Sequence, residues 1–303
     1  MKLTKLRYVL FVALGLIITA SLVFGVSQFT KRDSVRLVHA GVLPDQEAET
    51  LRQIYTPLLD YLGRHTDLDF LLIIPSSYAD LLAQFAADDI ELAYFGGLTF
   101  VRAHVNHGAR PLAMRDVDTR FTSYFVIKTD GPLSHCRDIS CSDLAGKVFS
   151  FASRLSTSGH LMPRHFLKTE RAIIPEELFR EVRYSGAHDR TLSEVRAGSV
   201  DMGAVNSEIF RSMILNGSIR PGEFRILWET PPYSDYVWAT NDSMSEERRT
   251  IIRDAFMSLD INNEDHREIL RPMGAEYFLP AGSEDFIHLQ NVAASLDMLG
   301  QEK

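Results

Sequence analysis

The stretch FSFASRLSTSGHLMP, Phe149–Pro163, passes from a buried-strand pattern through three adjacent hydroxyl side chains and a glycine into the start of a helix. A strand that hands the chain to a helix in this way is the repeating unit of an α/β fold. The first amides of a helix have no partner within it and their dipoles add, so such a turn is a seat for an oxyanion. Ser156, Thr157 and Ser158 bring hydroxyl donors to the same point, and no lysine is needed. Taken alone, Ser156 or Ser158 also reads as an ordinary helix cap. The surroundings decide between these readings.

Outward from this stretch, short apolar runs alternate with amphipathic ones. Val35–Val42, Phe70–Ile74, Glu91–Phe95 and Arg110–Arg115 read as strands, separated by helices over Glu47–Leu62, Tyr78–Ala87 and Leu98–His107. A second series follows Phe121–Thr129, with strands at Lys147–Ala152, Glu181–Tyr184, Ser199–Val205 and Phe224–Trp228. Its helices fall at Gly159–Thr169, Asp189–Ala197 and Ser207–Leu215. The tail holds an extended Tyr236–Thr240, helices around Ser245–Ser258 and Asn263–Leu270, and a last helix over Ser283–Met298. Both series predict βα units on largely parallel sheets. Polar breaks near Arg115–Arg120 and Pro231–Ser234 are the expected crossings, giving one discontinuous lobe of residues 34–118 plus 232–303 around a second of 119–231. Two lobes hinged in this way enclose a cleft, lined by strand ends and helix starts.

Ahead of these lobes, Lys2, Lys5 and Arg7 precede residues 8–26, which are free of charge for 19 positions. That length suits a membrane-spanning helix with its basic flank in the cytoplasm, so residues 1–33 read as a signal peptide or a membrane anchor and the remainder as exported. The apolar run exceeds that of an ordinary signal peptide, which favours a retained anchor. Without Lys2, Lys5 and Arg7, 29 basic side chains face 40 acidic ones, a balance of −11 that argues against a nucleic-acid partner. The only cysteines, Cys136 and Cys141, suit a local disulfide in an oxidising compartment. With His135 they make three metal ligands without a fourth, so no metal is expected there, and no cofactor elsewhere.

Several polar residues fall at strand ends. Tyr78 follows Ile74-Pro75-Ser76-Ser77, Phe95 precedes Gly96-Gly97, and His188 ends Ser185-Gly186-Ala187-His188. Glu208 follows Val205-Asn206-Ser207, and Asp235 closes Pro231-Pro232-Tyr233-Ser234-Asp235. Each also has a structural explanation: Tyr78 as a half-buried packing residue, His188 and Glu208 as first-turn helix residues, Asp235 as a turn former.

The order and context of Ser76-Ser77-Tyr78-Ala79, Leu92-Ala93-Tyr94-Phe95-Gly96, Ser156-Thr157-Ser158-Gly159, Gly186-Ala187-His188, Asn206-Ser207-Glu208 and Asp235…Trp238 resemble the phosphate/phosphite/phosphonate-type substrate-binding proteins of ABC transporters. The resemblance spans roughly residues 35–290. It implies a two-lobed periplasmic binding protein-like fold (type II) that closes on a small phosphorus oxyanion and delivers it to an ABC permease. It implies that Ser156, Thr157 and Ser158 hold the phosphonate oxygens, that Tyr78 and His188 join them, and that Glu208 and Asp235 receive the ammonium of an aminoalkylphosphonate. Two departures stand out. The strand before the glycines ends in Phe95 where the family often has tyrosine, with Tyr94 on the opposite face, and the family's glycine-tyrosine pair reads Ser123-Tyr124.

On this reading a histidine donor makes affinity rise as pH falls, while Glu208 and Asp235 disfavour a dianion unless the ligand carries a proton or an amine. The same fold also serves as a membrane-tethered sensor domain, an alternative supported by residues 8–26. A serine hydrolase using Ser156 or Ser158, His188 and Asp235 lacks a G-x-S-x-G elbow. The expectation is therefore a non-enzymatic binding protein of the periplasm.

Overall fold

The computed structural model describes residues 37–300. Its first part runs β1 (Leu37–Val42), α1 (Ala48–Thr66), β2 (Asp69–Ile73), α2 (Tyr78–Ala86), β3 (Leu92–Phe95), α3 (Gly97–His107) and β4 (Arg110–Arg115). A 3₁₀ turn at Asp116–Arg120 carries the chain into β5 (Ser123–Lys128), β6 (Val148–Phe151), α4 (Met162–Arg171), the single turn α5 (Pro175–Leu178), β7 (Glu181–Tyr184), α6 (His188–Ala197), β8 (Met202–Asn206), α7 (Ser207–Leu215) and β9 (Phe224–Glu229). Then β10 (Val237–Thr240), α8 (Glu246–Met257), α9 (Glu264–Leu270), β11 (Phe278–Pro280) and α10 (Ile287–Ser295) complete the chain.

The strands form two sheets. One has the order β11-β4-β10-β3-β1-β2, the other β7-β6-β8-β5-β9. Strands β3, β6, β8 and β10 are buried at every residue, as expected where helices cover both faces and a strand is apolar without alternation. The return strand β10 inserts between β3 and β4 and pairs antiparallel with both, while β5 pairs antiparallel with β8 and β9. The sheets are thus mixed where the βα alternation predicted largely parallel ones, because a strand re-entering a sheet after a crossing needs no right-handed crossover helix.

Other differences are local. The helix expected over Gly159–Thr169 opens as a π turn at Thr157–Leu161, in which the Leu161 amide reaches back to the Ser156 carbonyl at 3.0 Å. The last helix splits into a 3₁₀ turn at Ser283–Phe286 followed by α10. Cys136 and Cys141 are joined in a disulfide, S–S 2.05 Å, and His135 turns to Asp143 at 2.7 Å, so the thiolates that a metal would require are consumed. The apolar segment 8–26 lies outside the described residues, and among the described residues no helix is long and apolar enough to cross a membrane.

The two crossings between sheets lie side by side. Phe121 and Tyr233 exchange backbone hydrogen bonds of 2.8 and 3.0 Å. Beneath them Arg115, at the end of β4, makes a bidentate pair with Asp118 at 2.9 and 2.6 Å and also donates to the Met273 carbonyl. Asp118 is fully buried and Arg115 nearly so. Removing one member of such a pair strands the other charge, which costs about 3–5 kcal/mol. Asp118→Ala is therefore expected to lower the free energy of urea unfolding by about 3–5 kcal/mol. Glu49→Ala, which breaks the exposed Arg52–Glu49 pair at 3.6 Å, should change it by less than about 1 kcal/mol in the same assay.

Candidate functional site

The helices beginning at Tyr78, Gly97, Thr157, His188 and Ser207 each start on a buried residue. Each start follows a strand end, so the positions are dictated by the sheet order and not by local sequence alone. Their leading amides need acceptors, and two of the acceptors reach from one sheet unit to the other. Asp235, from the return crossing, accepts the Gly97 amide at 2.9 Å through Oδ1. Thr157 Oγ1, from the second unit, accepts the Leu98 amide at 2.9 Å. The Asp45 carbonyl, after β1, accepts the His188 amide at 3.1 Å.

Ser156 caps the π turn by accepting the Gly159 amide at 2.9 Å. Behind it stands His188, whose Nε2 lies 3.3 Å from Ser156 Oγ and whose Nδ1 accepts the Asn206 amide at 3.1 Å. A backbone N–H can only donate, so Nδ1 is unprotonated and the ring proton sits on Nε2, directed at Ser156. Burial pushes the His188 imidazole down to about 3, so the ring is neutral at ordinary pH. With two bonds accepted, Ser156 keeps its own O–H to give. His188 thus differs from the expected direct anion partner with a titrating charge: it backs Ser156 from behind. No carboxylate orients the ring, so a Ser–His–acid relay is not assembled.

Gly159 is required at this point by close approach. A Cβ there would stand 2.4 Å from Ala152 Cβ, 2.8 Å from His188 Cε1 and 2.9 Å from Ser156 Oγ.

Three buried polar atoms around this turn have no hydrogen-bond partner of acceptable geometry among the described residues: the Tyr78 hydroxyl, Asp235 Oδ2 and Asp45 Oδ1. Tyr78 lies beside Ser156, and the charges of Asp45 and Asp235 both act on it. The Ser158 hydroxyl lies against Asp235 and Tyr233. Burial pushes the Asp235 carboxyl up to about 7, although the Gly97 amide and the Thr157 and Ser158 hydroxyls oppose the shift. Burial likewise pushes Asp45 up to about 6 against the pull of Tyr236 and Arg115.

Tyr78, Ser156, Thr157, Ser158, His188 and Asp235 therefore share one enclosure, each at most 2% exposed. Phe95 and Glu208 do not take part in the same way. Phe95 packs edge-on against Phe85 at 5.0 Å, while Tyr94, on the other face of the strand, stacks with Tyr236 at 5.2 Å. Glu208 is ion-paired with Arg211 and its side chain is 22% exposed, at the rim. Arg211 also donates to the Tyr124 hydroxyl, so the altered Ser123-Tyr124 pair helps hold the arginine that masks Glu208. Asp45 and Tyr236 carry no signal of their own in the sequence, and Asn206 appears there only as part of Asn206-Ser207-Glu208. For Asp45 the only clue was its place after the first strand, in Leu43-Pro44-Asp45.

A family model described as "ABC transporter, phosphonate, periplasmic substrate-binding protein" matches residues 40–286. Over 289 residues the chain is 27% identical to the probable ABC transporter phosphite binding protein PhnD1 of Prochlorococcus marinus, covering 93% of this chain and 97% of that protein. It is also 27% identical over 220 residues to the phosphate-import protein PhnD of Mycolicibacterium smegmatis, covering 68% of this chain and 67% of the relative. The structure of P. marinus PhnD1 in complex with methylphosphonate is similar at a TM-score of 0.80, with 27% identity over 87% of this chain and 99% of that one. A binding protein component of an ABC phosphonate transporter from Pseudomonas aeruginosa, 15% identical, has the same fold at a TM-score of 0.78 over 87% of each chain. The mixed α/β, two-sheet architecture is that of periplasmic binding proteins, and the chain belongs to the periplasmic substrate-binding proteins of phosphonate ABC transporters.

Proposed function

We propose that the enclosure binds a small phosphorus oxyanion without an amine, of the phosphite, methylphosphonate or phosphate kind, for delivery to an ABC permease. The observation that carries this reading is the buried hydroxyl of Tyr78, which lacks a partner of acceptable geometry beside Ser156 and the helix starts. A group buried this way costs about 1–3 kcal/mol unless something pairs with it, and an oxyanion does so. Ser156, Thr157 and Ser158 supply hydroxyl donors, Tyr78 supplies another, and the adjoining amides supply the field of the helix ends. Charge-assisted bonds of this kind contribute about 1.5–3 kcal/mol each. Asp235 Oδ2 accepts a hydrogen bond from a ligand O–H, which favours an anion that carries a proton. Phe95 contributes shape only, from the strand that leads to Gly96. Glu208 is held by Arg211, so an aminoalkylphosphonate finds no free carboxylate there. The relatives point the same way, one a probable phosphite binding protein whose structure is in complex with methylphosphonate.

The two sheet units, residues 34–118 with 232–303 and residues 119–231, act as lobes that close about the paired crossings. Residues 8–26 hold this body at the outer face of the inner membrane. That run also fits a tethered sensor of the same fold, and ligand delivery to a permease distinguishes the two roles.

A thermal-shift series on the full chain tests the ligand class. Phosphite and methylphosphonate should stabilise the protein, by about 2.7 kcal/mol at a hundredfold excess over Kd, and 2-aminoethylphosphonate should do so markedly less. Equal stabilisation by the amine-bearing compound would sink the amine-free reading. Ser158→Ala should weaken methylphosphonate binding about tenfold in calorimetry. Gly159→Ala should do so more severely, because His188 and Ser156 must move apart. His188 supplies a separate check. Its ring resonances should not titrate between about pH 5 and 8. Because its folded pKa lies below the unfolded value, the stability its burial leaves intact at neutral pH should fall as pH drops from about 6.5 towards 3.

A further inference from the structure

Asp45 lies in the turn after β1 and is 5% exposed. Its main chain and side chain both engage groups that reach the second sheet unit. The carbonyl takes the His188 amide at 3.1 Å. Carboxylate Oδ2 takes the Tyr236 hydroxyl proton at 2.7 Å, and that hydroxyl in turn accepts from Asn206 Nδ2 at 3.0 Å. The polarity of this chain is fixed. Asn206 is held the other way round as the cap of α7, accepting the Ile209 amide at 2.8 Å through Oδ1, so only its Nδ2 is free to donate to Tyr236. Tyr236 therefore spends its proton on Asp45, and the second carboxylate oxygen, Oδ1, is left buried without a hydrogen bond of acceptable geometry.

The charges around Asp45 do not settle it. Arg115 attracts the carboxylate, Asp189 repels it, and the Gln46 side-chain amide donates towards it, which lowers its pKa slightly, in a geometry too poor to satisfy Oδ1. On the site side, Asp45 is the foremost charge acting on the Tyr78 hydroxyl, ahead of Asp235 and Asp189. The enclosure thus holds two carboxylates, each with one oxygen bonded by the protein in good geometry and one buried oxygen that is not, although the Thr157 and Ser158 hydroxyls lie close to Asp235.

We propose that Asp45 is a second ligand-proton acceptor of the site, and that with Asp235 it restricts binding to oxyanions bearing hydrogen on oxygen. This rests on the oxyanion reading of the enclosure. Hydroxyls and amides pair with the bare oxygens of an anion, but a carboxylate oxygen can only accept. An anion with no hydrogen sets negative oxygen against negative oxygen unless the carboxyl itself is protonated. A hydrogen phosphite or hydrogen methylphosphonate brings an O–H and turns that repulsion into a charge-assisted hydrogen bond. Sulfate, of similar size, brings none near neutral pH. Burial that already raises both carboxyls makes protonation accessible, so proton uptake accompanies binding and affinity falls as pH rises past about 6 to 7.

The test is calorimetry on the full chain with methylphosphonate and with sulfate, from about pH 5 to 8, for the wild type and Asp45→Asn. The amide keeps an oxygen for Tyr236 and offers N–H to the anion. The ratio of sulfate to methylphosphonate affinity at neutral pH should rise about tenfold, and the fall of affinity with pH should become shallower by about one proton. An unchanged ratio and an unchanged slope, with wild type binding methylphosphonate, overturn the role of Asp45 and leave the oxyanion reading standing. If the wild type binds neither methylphosphonate nor phosphite, both fall together. If Asp45→Asn does not fold, Tyr236→Phe decides: losing the Oδ2 donor should move the pH midpoint of methylphosphonate affinity upward, and no movement overturns the proposal.

Discussion

Helices that start in a protein interior carry amides with no partner of their own, and where several starts meet, something must accept from them. In this chain the starts at Gly97 and His188 solve the problem with acceptors from far along the chain: Asp235 for the Gly97 amide and, across the two sheet units, Thr157 for Leu98 and the Asp45 carbonyl for His188. The same bonds that satisfy the helix ends therefore hold the units against one another.

The surroundings keep this set rigid. His188 is locked by the Asn206 amide and delivers its single proton to Ser156, which leaves the serine hydroxyl with one direction in which to donate. Gly159 leaves room for that contact, and the π turn at Thr157–Leu161 brings three hydroxylated residues to the crossing instead of winding them around an α-helix. Below, the Arg115–Asp118 pair fixes where β4 gives way to the crossing. Preorganisation of this kind lowers the ordering cost of binding a small, strongly hydrated solute.

Much of this was legible in the sequence, for a definite reason. Strand-to-helix turns have a local signature of apolar run, small polar residues and glycine, so Tyr78, Ser156, Thr157, Ser158, His188 and Asp235 could be picked out one by one. Roles that depend on partners far along the chain could not. Asp45 matters through Tyr236, 191 residues away, and through His188, and nothing in Leu43-Pro44-Asp45 announces either. His188 looked like a titrating donor because burial, which silences its charge, is a tertiary property. Glu208 looked like an amine receptor until Arg211, one helical turn on, claimed it. The mixed sheet pairing escaped for the same reason, since the insertion of β10 between β3 and β4 is decided by the crossings and not by the strand's own residues.

The account stands or falls on where an oxyanion sits. A crystal structure of the full chain grown with methylphosphonate measures this directly. The phosphonate oxygens should lie within hydrogen-bond distance of the Tyr78, Ser156 and Ser158 hydroxyls, between the two sheet units. A phosphonate found on the outer surface, with the Tyr78 hydroxyl still unpaired beside Ser156, would contradict it.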